Sequence, residues 1–269
     1  MIRTQLINRI DYMAAPLHIS ISAEKLFSIA GLSISNSMVT SLIVSTLLIG
    51  FALWVRASLK KTNHPTGVQN VAEFIVESLY NLVQSVTGNH RKSAKFFPFI
   101  ATFFLFILLN NWMGLIPGSG SIGISRSENV GSVVERVFVP FFRAGTADLN
   151  MTAALGLISV ALIQFFGVSY LRAGYFKKFL NFSSPINLFV SILEIVSEVS
   201  RVISFAFRLF GNVFAGEVLL AVIGFLIPVI APMPFYGLEI FVGFLQALVF
   251  SMLSVVLFNM ATQGHGEEH

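Results

Sequence analysis

The feature that most constrains this chain is a set of long apolar runs that contain no charged residue. Four such runs occupy residues 39–55, 96–124, 149–171 and 240–263. A helix needs about 17–25 apolar residues to cross a bilayer, and it satisfies its own backbone hydrogen bonds in lipid. Only 11% of the residues are charged, compared with roughly 25% in a soluble domain. The sequence therefore predicts an all-α integral membrane protein.

The apolar pattern predicts six helical segments in a membrane domain that covers residues 38–262. An extramembrane N-terminal segment, residues 1–37, precedes this domain, and a tail, residues 263–269, follows it. Five segments are predicted to be embedded in the membrane: residues 38–59, 96–112, 149–171, 185–227 and 235–262. The last two would be about 65 and 42 Å long at 1.5 Å per residue, so they must tilt or bend in a hydrocarbon layer about 30 Å thick.

The remaining segment, residues 68–87, is predicted to be an amphipathic helix. Its apolar residues recur every three or four positions, while Glu73, Glu77 and Gln84 take the other side. This period is typical of a helix with one apolar face. A helix of this kind lies along the membrane surface rather than crossing it.

Lysine and arginine are concentrated in two of the predicted loops. Six lie between Arg56 and Lys95 and three between Arg172 and Lys178, whereas the turn at residues 228–236 has none. Cytoplasmic loops carry the excess of basic residues. Five crossings then place the N-terminus outside and the C-terminus in the cytoplasm. The N-terminal segment lacks the apolar core of a signal peptide, so we expect a multi-pass protein of a bacterial plasma (inner) membrane.

One permanent charge, Arg208, lies within the apolar run from Phe205 to Phe210. An arginine cannot lose its proton, and a charge at the centre of a membrane helix costs at least about 2.5–3.5 kcal/mol. No acidic residue lies three or four positions away to form a pair within the helix. At 100° per residue, five other polar residues share a helix face with Arg208, and all six fall within roughly 80° of one another. The five are Glu194, Ser197, Glu198, Arg201 and Ser204. These serines are as consistent with helix packing as with a path, and for Arg201 an ion pair with Glu198 is favoured.

Acidic residues lie on both sides of Arg208 along the chain. Glu217, nine residues later, points to the opposite helix face and is expected at the same depth as Glu239. Glu194 and Glu198 lie on the inner side, where they either line a crevice or extend to the cytoplasmic interface. Carboxylates in hydrated crevices can relay protons, and a fixed cation between two crevices blocks a direct path. Such a path needs a moving proton carrier, which must belong to a partner subunit.

The residues around Arg208 resemble the signature of subunit a of rotary F-type ATP synthases. The resemblance is carried by residues 208–212, with the sequence RLFGN, and residues 215–217, with the sequence AGE. Two further stretches are similar to the same family, residues 110–117 (NNWMGLIP) and 146–152 (TADLNMT). The likeness extends over nearly the whole chain.

This resemblance implies a non-catalytic stator subunit that provides two offset half-channels and drives rotation and ATP synthesis. It implies that Arg208 is the essential arginine, facing the carboxylates of the c-subunit ring. Together with the acids above, the predicted path residues are Asn212, Glu217, Glu239 and Gln246 in the outer half-channel and Glu194 and Glu198 in the inner one. The implied partners are the c-subunit ring, the b subunits of the peripheral stalk and the lipid bilayer. No cofactor, no metal and no substrate besides the transported ion are implied.

Glu239 departs from a common pattern of that family, in which many bacterial members have a histidine at this position. Two acids that face each other, here Glu217 and Glu239, are expected to share a proton or to bind a cation. The sequence therefore leaves open whether H⁺ or Na⁺ is transported. The loop at residues 118–143 resembles nothing that indicates a role.

A stand-alone secondary ion transporter is the alternative interpretation. Such transporters usually contain paired repeats with broken helices near the membrane midplane, and this sequence shows no such repeat. The net charge of +4 follows the loop topology and does not indicate a nucleic-acid partner. The chain has no cysteine, which excludes disulfides and thiolate metal sites.

Overall fold

Six helices dominate the structure, which is a computed structural model. It describes residues 20–29, 32–59, 67–119, 122–130, 133–179, 184–227 and 230–263. The helices are α1 (Asn36–Ser58), α2 (Val68–Thr87), α3 (His90–Gly114), α4 (Leu149–Leu171), α5 (Pro185–Leu226) and α6 (Pro232–Ala261), with two 3-10 segments, Gly145–Ala147 and Arg172–Lys178. Most of the predicted N-terminal segment, up to residue 19, and the tail from residue 264 lie outside the described residues.

Five of these helices, all except α2, are long and apolar enough to cross a membrane. In α2 the buried residues Ala72, Leu79 and Val83 lie on one face, while Phe74 is 70% exposed. The all-α class, with five membrane helices and one amphipathic helix, is therefore confirmed. At 1.5 Å per residue, the 42 residues of α5 extend about 63 Å. The tilt of α5 and α6 in a bilayer stays a prediction.

Helix caps explain why α3 begins earlier than predicted. The Asn89 side-chain oxygen accepts hydrogen bonds from the backbone N–H groups of Arg91 (2.9 Å) and Lys92 (3.3 Å), so the helix begins at His90. Pro98 lies inside the helix, where it lacks the N–H of an ordinary residue. The first turns of α3 are polar, so the distribution of apolar residues alone does not predict that they are helical. The other helix ends lie within three residues of the predicted ones.

The helices pack through a core that is rich in phenylalanine. Along the bundle, α3 lies against α6 and α4 lies against α5. The rings of Phe205 on α5 and Phe250 on α6 have their centroids 4.8 Å apart, and the Ser159 and Ser254 hydroxyls form a buried hydrogen bond of 3.0 Å between α4 and α6. Aromatic pairs and buried polar bonds are among the interactions that associate helices in lipid.

Helix α5 is the least covered of the five membrane helices. Only 11% of its most apolar stretch is buried, compared with 39–44% in α3, α4 and α6. Large apolar side chains remain exposed along it, among them Ile186, Phe189, Val196, Ile203 and Phe207. Such a face must contact either lipid or a partner protein, because contiguous apolar surface is costly in water.

Two β-hairpins add to the predicted helices. Strand β1 (Lys25–Ile29) pairs antiparallel with β2 (Leu32–Ser35). Strand β3 (Gly123–Val130) pairs antiparallel with β4 (Val133–Pro140). From the sequence, the first region was expected to be part of an extramembrane segment and the second part of a loop. The valine-rich sequence of β4 suits a strand, but the glycines and serines that precede it hide this preference.

Both hairpins lie at the end of the bundle where α1 and α4 begin, which we call the hairpin end. The Asn36 side chain at the start of α1 donates to the Pro140 carbonyl oxygen (3.3 Å), and its backbone N–H donates to the Glu24 carbonyl oxygen (3.0 Å). The Ser37 hydroxyl donates to the carboxylate of Asp148, the N-cap of α4, over 2.7 Å. These bonds connect segments that are far apart in sequence, so the hairpin end is a polar assembly above the apolar helices.

Candidate functional site

Arg208 lies on the exposed face of α5, in the middle third of the helix. Its guanidinium donates one hydrogen bond, from Nη2 to the Ser204 hydroxyl one turn earlier, over 3.3 Å. Among the described residues it forms no ion pair. A Cβ built on the neighbouring Gly211 would meet no atom within 4 Å. The charge therefore faces open space next to a position with no side chain.

One turn beyond Arg208, an amide pair connects α5 to α6. Asn212 Nδ2 donates to Gln246 Oε1 over 2.6 Å. Gln246 is buried, and its Nε2 atom has no hydrogen-bond partner among the described residues. Asn212 and Gln246, both assigned to the outer half-channel from the family resemblance, are thus in direct contact. Along α5, the amide pair lies between the arginine and a polar cavity.

That cavity has a volume of about 260 Å³ and lies between α5, α6 and the segment that precedes α4. Glu217 and Glu239, predicted at similar depths on the two helices, both line it. A Cβ at Gly216 would collide with the Glu239 carboxylate. The absence of a side chain at Gly216 therefore lets the Glu239 carboxylate lie directly against α5.

Arg143 is a site residue that the sequence analysis missed. It belongs to the loop between β4 and the 3-10 turn, and its side chain is 6% exposed. It donates from Nε (3.1 Å) and Nη2 (3.0 Å) to the same carboxylate oxygen of Glu217. Arg143 lies 74 positions before Glu217, so no helical or strand period relates the two. The only available signal was a basic residue close to the start of α4.

The ion pair changes the expectation for the two outer acids. The sequence analysis considered Glu217 and Glu239 as a pair of carboxylates that share a proton or bind a cation. In the structure both acids line one cavity, but the carboxylate of Glu217 has Arg143 as a cationic partner. Among the described residues, no group of three or more metal-binding side chains could hold an ion.

On the other side of Arg208, the predicted inner acids lie on α5 with different surroundings. Glu198 is buried and accepts a hydrogen bond of 2.6 Å from Arg201 Nη1, three residues later. The favoured interpretation of Arg201, a pair with Glu198, therefore agrees with the structure. Glu194 is half-buried one turn earlier. At 1.5 Å per residue, Glu198 and Glu217 lie about 15 and 14 Å from Arg208 along the helix axis.

Comparison with known proteins was made on the whole chain. The sequence pattern of the family described as ATP synthase A chain matches residues 38–259. Three similar proteins are the ATP synthase subunit a of Campylobacter jejuni subsp. jejuni serotype O:6 and of serotype O:2, and that of Campylobacter jejuni subsp. doylei. Each is 34% identical over 207 residues, which cover 75% of this chain and 80% of the relative. The matched region contains Arg143, Arg208, Glu217 and Glu239.

Proposed function

The chain belongs to the ATP synthase A chain family, multi-pass membrane-sector subunits of F-type ATP synthases, and we propose that it forms the stator side of an ion path centred on Arg208. In this proposal the chain does not itself synthesise or hydrolyse ATP. It provides two offset half-channels through which protons reach and leave carboxylates on a rotating ring of c subunits. Ion flow through them drives rotation and thereby ATP synthesis.

The observation that carries the proposal is the environment of Arg208. Its charge is permanent, it lies on the least covered helix, and it has no carboxylate partner among the described residues. An isolated charge at membrane depth is costly, so a counter-charge from a neighbouring subunit would stabilise it. A ring carboxyl group that releases its proton to one half-channel, pairs with Arg208 as a carboxylate and then takes up a proton from the other half-channel meets that requirement. The open space over Gly211 supports a close approach of the partner helix.

The outer half-channel is proposed to run from the hairpin end to Arg208. Water in the cavity would deliver or accept protons at Glu217 and Glu239, and the amide pair of Asn212 and Gln246 would lead on to the ring. The shared cavity and the 2.6 Å amide contact support this order. Proton relay through such groups requires hydrogen-bond distances or one intervening water.

The inner half-channel is proposed to use Glu194 and Glu198, on the other side of Arg208. Their separation from the outer cavity along α5 supports two paths that do not meet. Arg208 between them would prevent a proton from passing directly, because a fixed cation repels it. Protons would then cross only by riding on the ring, which converts flow into rotation.

Orientation and partners follow from the same proposal. The basic loops support a cytoplasmic C-terminus, with the hairpin end outside a bacterial plasma membrane. The exposed face of α5 would contact the c-subunit ring, and the b subunits of the peripheral stalk would hold the chain against it. H⁺ is the proposed ion, and Na⁺ is the alternative that the experiment below distinguishes.

The test is ATP-driven ion pumping by the complete ATP synthase in membrane vesicles. Arg208→Ala is expected to abolish acidification of the vesicle lumen while ATP hydrolysis by the soluble sector continues. Arg56→Ala, which changes an exposed arginine at the end of α1, is the control and should pump like the unmodified protein. Pumping by Arg208→Ala would overturn the proposal.

Two further arms separate the alternatives. Pumping by the unmodified complex is measured with and without Na⁺, since a requirement for Na⁺ would replace H⁺ as the ion. The chain is also reconstituted alone in proteoliposomes. Ion flux without the other subunits would favour a stand-alone transporter and contradict the dependence on a ring.

A further inference from the structure

Arg143 brings three separate parts of the chain together at the hairpin end. Besides its two bonds to Glu217, it donates from Nη1 to the Ser22 carbonyl oxygen (3.0 Å) and from Nη2 to the Ser20 carbonyl oxygen (2.9 Å). Four hydrogen bonds thus leave a guanidinium that has five N–H groups. Its orientation is therefore set by the N-terminal segment as well as by α5.

The backbone at Arg143 is equally well held. Its N–H donates to the Thr40 hydroxyl of α1 over 3.3 Å. Two residues later, a Cβ at Gly145 would collide with the side chains of Ser41 and Asn110. The loop is thus packed tightly against α1 and α3, so the backbone of Arg143 cannot shift without disturbing this packing.

The charges around Glu217 are few among the described residues. From α6, Glu239 and Tyr236 line the same cavity, and from the loop before α4 Arg143 does. The nearby carboxylate of Asp148 accepts hydrogen bonds from Ser37 and from the backbone N–H of Asn150. Arg143 is therefore the cation that faces Glu217 within the described residues.

We propose that Arg143 is a positioning residue for proton release through the outer half-channel: it holds the Glu217 carboxylate in the cavity and favours its ionised form. The proposal rests on the proposed function, since it assigns a role within the same ion path. A buried guanidinium keeps its proton at every accessible pH. It therefore stabilises the carboxylate more than the carboxylic acid, because opposite charges within about 4–6 Å favour the charged form.

The proton transfer can be followed atom by atom during ATP-driven pumping. A proton that leaves the ring bonds to a carboxylate oxygen of Glu217, which becomes neutral, and its ion pair with Arg143 is lost. The O–H bond then breaks, the proton passes to water in the cavity, and the carboxylate pairs with Arg143 again. The guanidinium gains and loses no proton. Re-forming the pair favours release, so the outer half-channel continues to discharge when the lumen is already acidic.

The test compares Arg143→Lys and Arg143→Gln in the complete ATP synthase. Lysine keeps the charge but has its three donors on one atom, so it cannot serve Glu217 and both serine carbonyls in the same way. The initial rate of ATP-driven pumping is measured in vesicles that are loaded at different luminal pH values. ATP is added outside, so only complexes whose soluble sector faces the external medium are active. In these complexes the outer half-channel opens to the lumen. Arg91→Lys, at an exposed position at the other end of α3, is the control.

We expect pumping to fail at a higher luminal pH when the cation is removed. Without Arg143 the carboxyl group of Glu217 retains its proton more readily. The midpoint of the profile should therefore move upward by about one pH unit or more in Arg143→Gln. It should move less in Arg143→Lys and not at all in Arg91→Lys. In a Glu217→Gln background, Arg143→Gln should cause no further shift, because the group that it acts on is gone.

Three results would overturn this assignment. The first is an unchanged midpoint in Arg143→Gln. The second is a shift of the same size in the Glu217→Gln background. The third is failure of Arg143→Lys to assemble with the ring, which would assign the residue to folding. These results differ from failure of the proposed function itself, in which Arg208→Ala would still pump.

Discussion

Asn212 on α5 donates a hydrogen bond from its side-chain amide to Gln246 on α6 over 2.6 Å, one helical turn from the charge of Arg208, which forms no ion pair within the described part of the chain. The bond joins the two longest helices at the depth where the exposed face of α5 carries that charge. Gln246 is buried and has an unused donor among the described residues. The contact therefore combines a structural role, joining two helices, with a polar group beside the proposed ion path.

Removing this bond should affect both stability and pumping. Asn212→Ala leaves the buried oxygen of Gln246 without its donor, and an unsatisfied buried group costs about 1–3 kcal/mol. We expect a lower thermal midpoint of the purified complex and slower pumping per assembled complex. Asn259→Ala is the matched control, because Asn259 donates to the Val86 carbonyl oxygen over 3.2 Å near the C-terminal end of α6. It should lower the midpoint but leave pumping per complex unchanged; the same outcome for Asn212→Ala would contradict a role in the path.

A side chain at Gly216 should change the position of the Glu239 carboxylate. A methyl group there would collide with the Glu239 carboxylate, so Gly216→Ala is expected to displace that carboxylate and slow pumping. Gly237→Ala, where a Cβ would meet nothing within 4 Å, controls for the helix-stabilising effect of alanine, which is about 1 kcal/mol. Combining Gly216→Ala with Glu239→Asp should restore part of the rate, since the shorter side chain makes room. Normal pumping by Gly216→Ala alone would show that the position of Glu239 is unimportant.

Gly211 should be sensitive for a different reason. A Cβ at Gly211 would meet no atom of the described residues within 4 Å, so we expect Gly211→Leu to leave the fold intact. It would, however, thicken the face that is proposed to meet the ring, next to Arg208. We expect pumping to be strongly reduced in Gly211→Leu and retained in Gly50→Leu, an equally open position on α1. Equal rates for the two variants would mean that no partner approaches α5 at this point.

We expect Glu217 and Glu239 to contribute to proton conduction through their carboxyl groups. The double variant Glu217→Gln with Glu239→Gln keeps the size of both side chains but removes both proton-binding groups from the cavity. Passive proton flux through the membrane sector, measured after removal of the soluble sector, should fall by about 10²-fold, the lower end of general acid–base contributions. The control double variant changes Glu73 and Glu77, two exposed acids of α2, to glutamine and should conduct normally. Unchanged flux in the first double variant would reduce Glu217 and Glu239 to structural roles.

The sequence predicted the helices well because helix formation in lipid is a local property. A run of apolar residues must form its own backbone hydrogen bonds wherever it lies, so α4 was predicted at its observed bounds, Leu149–Leu171. The start of α3 was predicted too late, because its first turns are polar and are stabilised by the Asn89 cap rather than by lipid. The β3–β4 hairpin was missed because strand pairing depends on two segments at once.

The residues of the candidate site also differ in whether a local sequence pattern could identify them. Arg208 and its surrounding polar face could be identified from spacing within a single helix, as could the Glu198–Arg201 pair at three residues' separation. The placement of Glu217 and Glu239 at similar depths followed from counting residues on either side of one turn. Arg143 could not be found in this way, because its contact with Glu217 spans 74 positions and several elements.

By itself, the sequence determined that the chain is a bundle of apolar helices, and that Arg208 lies in an apolar run with no acidic residue three or four positions away, since hydropathy and helical period act over a few turns. Only the tertiary structure decided that Arg143 is the cation beside Glu217, that the N-terminal segment helps to hold it, and that Gly216 lies against Glu239. Each of these relationships depends on how separate segments pack, and packing is decided by the shape and polarity of all the surfaces that meet, which no local pattern records.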